Sequence, residues 1–339
     1  MPRRGELLIR VAACGVCHTE LDEIEGRARP PRLPLVLGHE IVGRVAEMGE
    51  AVRGYQHGQR VGVGWIHHST GAEDENLSPE FVATGRDVDG GYAEFMTVPE
   101  DYAYPIPELF SDAEAAPLLC AGAIGYRALN LAHLKDGDRL GLTGFGGSAH
   151  LVLKLARHLY PNSEVFVFAR DPEIRDFALE LGASWAGDTR ERAPEQLHAV
   201  IDTTPAWLPV LEALRNLRPG GRLVINAIRK EDTDRGELAS LVYHEQLWME
   251  REIKSVANIT HHDIAAFLPI AAQVPIRPQV ETYPLEEANA ALADLRYGSV
   301  RGAKAVSYTH LTLPTNTIAC RCRWWRDESN GGGGGGGGG

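Results

Sequence analysis

The hydrophobic positions divide the chain into two regions with different periods. From Leu7 to Val98, short runs typical of β-strands recur at close spacing, with glycine, proline and charged residues between them. The runs read ELLIRVAA, EIVGRVAEMG, QRVGVGWI and YAEFMTV. Short strands separated by turn residues predict an all-β module over this region.

Near Ser111 the pattern changes to one of alternating helices and strands. The segment SDAEAAPLLCAGAIGYRALNLA predicts one helix, with Ser111 or Asp112 as its N-cap. A strand, a glycine turn and the apolar-faced helix LVLKLARHL follow. EVFVFA then predicts a buried strand, and EIRDFALELGA an amphipathic helix that ends at Gly182. Alternation at these lengths predicts βαβ units, and therefore an α/β fold with a doubly wound parallel sheet.

Composition and charge narrow the class of protein. The chain is 44% hydrophobic and 24% charged, which is ordinary for a soluble globular protein. Its formal net charge of −12 argues against a nucleic-acid partner, and its apolar runs are too short to predict a membrane span. The 5 cysteines form no disulfide framework, so a reducing, cytoplasmic location is expected.

The last part of the chain departs from this pattern. The periodic sequence stops at Val306, and residues 331–339 are all glycine, a flexible string that buries nothing. We expect 307–339 to be non-native or disordered. This segment includes Cys320 and Cys322, which are therefore left out of the candidate site.

A glycine turn suggests a nucleotide site. TGFGGSAH places Gly144, Gly146 and Ala149 in a G-x-G-x-x-A pattern between a strand and a helix. Gly144 permits the tight turn, Gly146 admits a pyrophosphate, and the small Ala149 lets helix and strand pack closely. The pattern indicates dinucleotide binding, and a tight βα turn without a ligand is the alternative.

The next strand bears on the choice of cofactor. In VFVFARDPE, the position that would carry a carboxylate for a ribose 2′-hydroxyl is Ala169, and Arg170 follows it. A guanidinium there suits a 2′-phosphate, which favours NADP(H) over NAD(H). Asp171 precedes Pro172 and is interpreted as a helix N-cap.

Cysteine and histidine residues suggest a metal site. Cys14 and Cys17 lie three positions apart. This spacing is compatible with a zinc knuckle, with a redox pair, or with one metal ligand beside a cysteine that binds no metal. His39, in GHE, and Cys120, in LLCAGA, could complete a Cys₂His set of the kind that holds a catalytic zinc. Each of these residues taken alone is also compatible with a core position.

Together these segments resemble a known family. CGVCHTELDEIEG, GHEIVGRV, GGYAEF, LLCAGAIGYRAL and GFGGSAH are similar, in that order, to the zinc-dependent medium-chain alcohol dehydrogenases, from about Gly5 to Val306. The resemblance implies a GroES-like β-rich catalytic domain at 1–117, a Rossmann domain at 118–266 and a return segment at 267–306. Because the family usually begins earlier, the resemblance also implies an N-terminal truncation.

The resemblance assigns roles around the metal. It implies that Cys17, His39 and Cys120 are the zinc ligands and that Glu40 is a nearby carboxylate that approaches the ion during ligand exchange. Glu20 stands where the family commonly has an aspartate that orients the imidazole of His39. Cys14 matches no ligand and is interpreted as a strand residue.

It also assigns roles toward substrate and cofactor. Thr19 matches the hydroxyl that relays the substrate proton, and Asp22 stands where many members carry the terminal relay histidine. His18 matches a position that meets the cofactor pyrophosphate. The remaining cofactor residues implied are Gly144, Gly146, Gly147, Ala149 and Arg170.

The predicted activity is reversible hydride transfer between NAD(P) and a primary alcohol or aldehyde, in a homo-oligomer.

The interval before GGYAEF lacks the cysteines that hold a second, structural zinc in many relatives, so one zinc per chain is predicted. His67 and His68 are adjacent and point to opposite sides of an extended segment, and the acidic run at 73–75 is interpreted as a solvated loop. The alternatives are an inactive fragment, a non-catalytic cofactor-binding protein and a zinc-free quinone or enoyl reductase.

Overall fold

The first region is rich in strands, as its sequence predicts. The structure, a computed structural model, describes residues 1–297 and 302–308. The elements of this region are β1 Glu6–Val16, α1 His18–Ile24, β2 Ile41–Met48, β3 Arg60–Val63, β4 Ile66–His68, β5 Val82–Ala83, β6 Phe95–Pro99, β7 Ala103–Pro105, α2 Asp112–Ala115 and α3 Ala121–Ala132.

The second region forms the parallel sheet. Its elements are β8 Arg139–Thr143, α4 Ala149–Leu159, β9 Glu164–Phe168, α5 Pro172–Glu180, β10 Trp185–Gly187, β11 Leu197–Asp202, α6 Leu208–Asn216, β12 Leu217–Ile225, α7 Tyr243–Gln246, β13 Glu252–Ser255 and α8 His261–Gln273. The strands lie in the order β10-β9-β8-β11-β12-β13 and every neighbouring pair is parallel. The predicted doubly wound sheet is confirmed.

The last described elements return to the first sheet. They are β14 Val280–Pro284, α9 Ala288–Tyr297 and β15 Ala303–Ser307. The sheet order is β14-β15-β1-β2-β3-β7, with β6 also paired to β1. Cys14 lies opposite Val306, and Ser307 still pairs with Ala13, so the strand runs one residue past the predicted end of the periodic sequence. The domain boundaries stay predictions, and residues 309–339 of the expected tail lie outside the described part of the chain.

The single helix predicted from Ser111 onward is wrong. The chain instead forms α2, a 3₁₀ turn at Ala116–Leu119 and then α3, with Cys120 in a non-helical conformation (φ −126°, ψ −76°) between the last two. Pro117 has no amide hydrogen with which to continue the α-helical ladder, so the helix cannot run through. The predicted cap is confirmed, since the Ser111 hydroxyl accepts from the amide of Glu114 at 3.2 Å. Within the described residues, no helix has both the length and the apolar character that crossing a membrane requires.

The interpretation of the acidic run at 73–75 as a solvated loop is wrong for one residue, Glu75. Glu73 and Asp74 are exposed, but Glu75 is fully buried. One of its carboxylate oxygens accepts from the Tyr102 hydroxyl at 2.9 Å, and the other from the amide of His261 at 2.6 Å. Nδ1 of His261 also lies 2.7 Å from this carboxylate. Glu75 therefore ties the loop to the start of α8.

We expect Glu75→Gln to lower the free energy of unfolding at pH 7 by about 1–3 kcal/mol, because a buried charged acceptor is lost. Burial raises the pKa of Glu75, but the hydrogen bonds from His261 and Tyr102 outweigh it and hold the pKa below its usual value. The stabilisation is therefore present above the unfolded-state pKa of about 4.3 and is lost as the pH falls through the lower folded-state value.

Urea unfolding at pH 7 and at acidic pH measures this dependence. The gap between wild type and Glu75→Gln should shrink below about pH 4. Glu73→Gln, an exposed change in the same loop, is the matched control and should be nearly neutral. Equal stability of wild type and Glu75→Gln at pH 7 would contradict the buried anchor.

Candidate active site

Cys17 lies at the junction of β1 and α1. Its backbone is extended (φ −121°, ψ 162°), and its amide donates to Glu20 Oε2 at 2.9 Å. The Sγ atom lies 3.7 Å from Oγ1 of Thr19, which is itself buried. The start of α1 therefore presents the thiol of its N-cap residue, Cys17, beside the hydroxyl of Thr19.

His39 enters from the loop that precedes β2. The preceding Gly38 has a φ of +98°, and a Cβ built there would lie 2.8 Å from Cys14 Sγ and 2.9 Å from a ring carbon of Tyr92. Glycine at this position lets the backbone pass close to β1 and places the imidazole in the interior, where it is 1% exposed.

The side chains of four residues from three parts of the chain converge. One ligand atom each from Cys17, His39, Glu40 and Cys120 lies within 4.8 Å of the others, and His39 Nε2 is 3.3 Å from Cys120 Sγ. Two thiols and an imidazole are the donors that zinc prefers in a tetrahedral site, so these residues fit a zinc ion. Cys14 is fully buried in β1 and lies outside this group.

Glu20 holds the His39 ring in place. Oε1 of Glu20 lies 2.6 Å from Nδ1 of His39, and both side chains are almost completely buried. The contact leaves Nε2 of the ring facing the thiol of Cys120. The second carboxylate oxygen of Glu20 accepts from the backbone of Cys17, so one side chain braces two members of the cluster.

The pKa values in the cluster depend on one another. A hydrogen bond from Cys120 is the largest influence on Cys17, and it holds the pKa of this thiol well below its usual value. The same hydrogen bond, followed by burial, raises the pKa of Cys120. Burial lowers the pKa of His39, but the charge of Glu20 and the hydrogen bonds with Cys17 and Glu20 outweigh it, so the net pKa is raised. The two thiols therefore compete for one proton, and a bound cation would favour the deprotonated form of both.

Glu40 lies behind the thiols. Burial, and then the charge of Cys17, raise the pKa of Glu40 well above its usual value. A Cβ at Gly15 would lie 1.7 Å from Oε2 of Glu40. Only glycine at position 15 leaves room for this carboxyl beside the cluster.

The other residues predicted on α1 differ in their surroundings. His18 is exposed at the first position of the helix. Asp22 is buried, and its Oδ1 accepts from Arg27 Nε at 2.7 Å and from Arg229 Nε at 2.8 Å. The carboxylate that was predicted as the relay terminus is thus in contact with two guanidinium groups.

The glycine turn lies at the carboxyl end of β8. Gly144 has a φ of +75°, and a Cβ there would lie 2.8 Å from Cγ2 of Thr204, so both the turn and the neighbouring chain require glycine. A Cβ at Gly146 would meet nothing within 4 Å, which leaves open space above the N-terminus of α4. Gly147 lies in the same turn, and Ala149 is fully buried at the start of the helix.

Arg170 is exposed just beyond the end of β9. Asp171 caps α5 by accepting from the amide of Glu173 at 2.9 Å, as the sequence predicts. Arg175, which the sequence analysis missed, donates to the backbone oxygens of Ala169 and Arg170 at 2.8 and 2.9 Å. The backbone at Arg170 is therefore fixed while its own side chain faces solvent.

A buried polar group at the end of β11 was also missed. Asp202 is fully buried and accepts from the hydroxyls of Thr143 and Thr204 at 2.6 and 2.8 Å and from the ammonium of Lys230. These bonds link β8, β11 and the segment after β12 beside the glycine turn. The polar residues that end HAVIDTT were the available signal in the sequence.

Known proteins are similar to this chain in sequence and in fold. Residues 3–108 match the alcohol dehydrogenase GroES-like domain family. A "Probable alcohol dehydrogenase AdhA" from Mycobacterium tuberculosis is 44% identical over 313 residues, which cover 89% of this chain and 88% of the relative.

Solved structures add the comparison of folds. A cinnamyl alcohol dehydrogenase from Sorghum bicolor superposes with a TM-score of 0.78 at 26% identity, covering 91% of this chain and 92% of the other. A structure described as CAD from Helicobacter pylori in complex with NADP(H) has a TM-score of 0.79 at 22% identity and the same coverage.

Proposed function

The chain belongs to the medium-chain alcohol dehydrogenase family, whose chemistry is oxidoreduction at CH–OH groups, and we propose that it is a zinc-dependent alcohol dehydrogenase that transfers hydride reversibly between NAD(P) and a primary alcohol or aldehyde. The observation that carries the proposal is the convergence of Cys17, His39 and Cys120 in one partly buried cluster.

We assign the zinc to Cys17, His39 and Cys120, with Glu40 close enough to exchange with a ligand. A zinc ion bound there supplies Lewis acidity toward a carbonyl or alcohol oxygen. The protein supplies the arrangement of the donors. The contact from Glu20 selects the tautomer of His39 that keeps Nε2 free for a metal, and its second contact fixes the backbone of Cys17.

Thr19 is assigned to the substrate proton. Its hydroxyl can donate or accept, lies beside Cys17 Sγ and is held at the second position of α1. From there it can hydrogen-bond a substrate oxygen at the cluster and pass a proton outward. Exposed His18 at the start of the same helix is available to an anionic group such as the cofactor pyrophosphate.

The cofactor is assigned to the crevice at the carboxyl ends of β8 and β9. Open space at Gly146 and the N-terminal amides of α4 suit a pyrophosphate, with Gly144, Gly147 and Ala149 shaping the turn. Arg170 at the end of β9 favours the 2′-phosphate of NADP(H), and the Helicobacter pylori structure described above is a complex with NADP(H).

Replacing Arg170 by alanine should lower kcat/KM for NADP(H) about 10- to 100-fold and leave that for NAD(H) nearly unchanged, because a charge-assisted contact to the 2′-phosphate is lost. Steady-state kinetics with both cofactors measure the ratio. Arg218→Ala, at the amino end of β12, is the matched control and should change neither value. A strong preference for NAD(H) that survives Arg170→Ala would reject the NADP(H) assignment.

We also propose a homo-oligomer in the cytoplasm. β13 forms one edge of the parallel sheet, and Trp248, Met249 and Ile253 are each about half exposed on or before it. An exposed strand edge with apolar side chains on and beside it is suited to pairing with a second copy. The three described cysteines are free thiols, which is consistent with a reducing compartment.

The activity is tested by following absorbance at 340 nm in zinc-loaded protein. Ethanol or benzyl alcohol is supplied with the oxidised cofactor, and cinnamaldehyde with the reduced one. Turnover that depends on both alcohol and cofactor supports the proposal. Zinc binding without turnover of any alcohol or aldehyde would favour the non-catalytic alternative, whereas reduction of a quinone or enone by metal-free protein would favour the zinc-free reductase.

A further inference from the structure

A chain of ion pairs crosses between the two halves of the molecule at α1. Asp22 Oδ1 accepts from both Arg27 and Arg229. The carboxylate of Glu25, one residue beyond the helix, pairs with Arg27 and with Arg296. The result is the alternating series Arg229–Asp22–Arg27–Glu25–Arg296.

The partners come from distant elements. Asp22 lies three residues after Thr19 on α1, the helix that starts directly after Cys17. Arg229 follows β12, at the carboxyl end of the parallel sheet, which is the edge where dinucleotides bind in such sheets. Arg296 belongs to α9 in the returning segment. The helix α1 is therefore tied to the nucleotide-binding sheet by Arg229 and to α9 by Arg296.

The ion pair between Asp22 and Arg229 is partly buried and differs from ion pairs on the exposed surface. The side chain of Asp22 is 4% exposed and that of Arg229 is 33% exposed. Exposed ion pairs contribute little to stability, whereas a buried carboxylate that loses a partner is left with uncompensated charge. The position of Asp22 is therefore coupled to the position of Arg229.

We propose that Asp22 and Arg229 are positioning residues that hold α1 against the nucleotide-binding sheet, and so set Thr19 and the Cys17 cluster at a fixed distance from the cofactor crevice. This inference rests on the proposed function. It differs from the role of relay terminus that the resemblance implied for Asp22, because Oδ1 of this carboxylate accepts from both guanidinium groups.

A double-mutant cycle tests the coupling. Asp22→Asn and Arg229→Gln should each lower kcat/KM about 10- to 100-fold, as expected for misplaced reacting groups, and the double variant should be no worse than the poorer single one. Arg229→Lys keeps the charge and should recover most of the loss. Arg235→Gln removes an arginine whose partner in the same segment, Asp232, is exposed, and should have no effect.

Two further measurements do not depend on turnover. The dissociation constant of NADPH, from its fluorescence, should rise in both single variants. Hydrogen exchange of residues 18–24 should become faster in both. If wild-type protein turns over no alcohol, the proposed function fails, yet these two readouts still decide the inference.

A relay role for Asp22 gives a different pattern. Asp22→Asn alone would lower kcat and alter its pH profile, and Arg229→Gln would be nearly silent. That pattern, or independent effects that multiply in the double variant, would overturn the inference. If Asp22→Asn fails to fold, unchanged kinetics and unchanged exchange of α1 in Arg229→Gln would also overturn it.

Discussion

Replacing Cys17 by alanine is expected to lower kcat/KM for alcohol oxidation by about 10³-fold or more, because the metal that acts on the substrate oxygen loses a ligand. His39→Ala should have a similar effect. NADPH binding should persist in both variants, because the glycine turn and Arg170 are untouched. The measurement is zinc content together with steady-state kinetics on the same samples.

Cys14→Ala is the matched control for this prediction. Cys14 lies three residues before Cys17 and is fully buried, but it stands outside the cluster of ligand atoms. Its removal should leave zinc content and kcat close to wild type, with a loss of about 1 kcal/mol in stability from the small cavity. An empty metal site in Cys14→Ala, with zinc retained in Cys17→Ala, would reverse the assignment.

Thr19→Ala is expected to lower kcat about 10²- to 10⁴-fold, the usual contribution of a positioned proton-transfer group. The substitution removes the hydroxyl beside Cys17 Sγ but no atom of the metal cluster, so zinc content should stay at the wild-type level. The unchanged zinc content distinguishes Thr19→Ala from Cys17→Ala and His39→Ala. Solvent isotope effects and the pH profile of kcat measure the change in proton transfer.

Thr19→Ser keeps a hydroxyl at the same position and should restore most of the rate. The pair of variants therefore isolates the hydroxyl from the loss of side-chain volume at a buried position. A kcat for Thr19→Ala within a few-fold of wild type would show that the substrate proton leaves by another route.

The sequence predicted those parts of the site that depend on local pattern. The turn at Gly144 was predicted because a strand, a glycine pattern and a helix follow one another within 21 residues, from Arg139 to Leu159. The cap at Asp171 was predicted because proline follows it. The donor types of Cys17, His39 and Cys120 suggested a Cys₂His set, and the resemblance assigned them as ligands, since no local rule links positions so far apart.

The missed features depend on long-range contacts. Glu75 looks like a surface residue in an acidic run, and its burial follows from Tyr102 and from His261, 186 residues away. The pairing of Asp22 with Arg229 joins residues that are 207 positions apart. In the sequence, each looks like an ordinary charged residue exposed to solvent. The break at Cys120 was missed because the helical pattern outweighed Pro117. Pairings of this kind become visible only when the fold brings the elements together.

We propose that one zinc at Cys17, His39 and Cys120 carries the activity. Removing zinc in steps with a chelator tests this assignment, with zinc per chain and turnover at 340 nm measured on the same samples. We expect the rate to fall in proportion to zinc content, full activity to correspond to one zinc per chain, and NADPH still to bind the stripped protein. Full turnover without zinc, or two tightly held zinc ions with the second lost in His67→Ala, would contradict it.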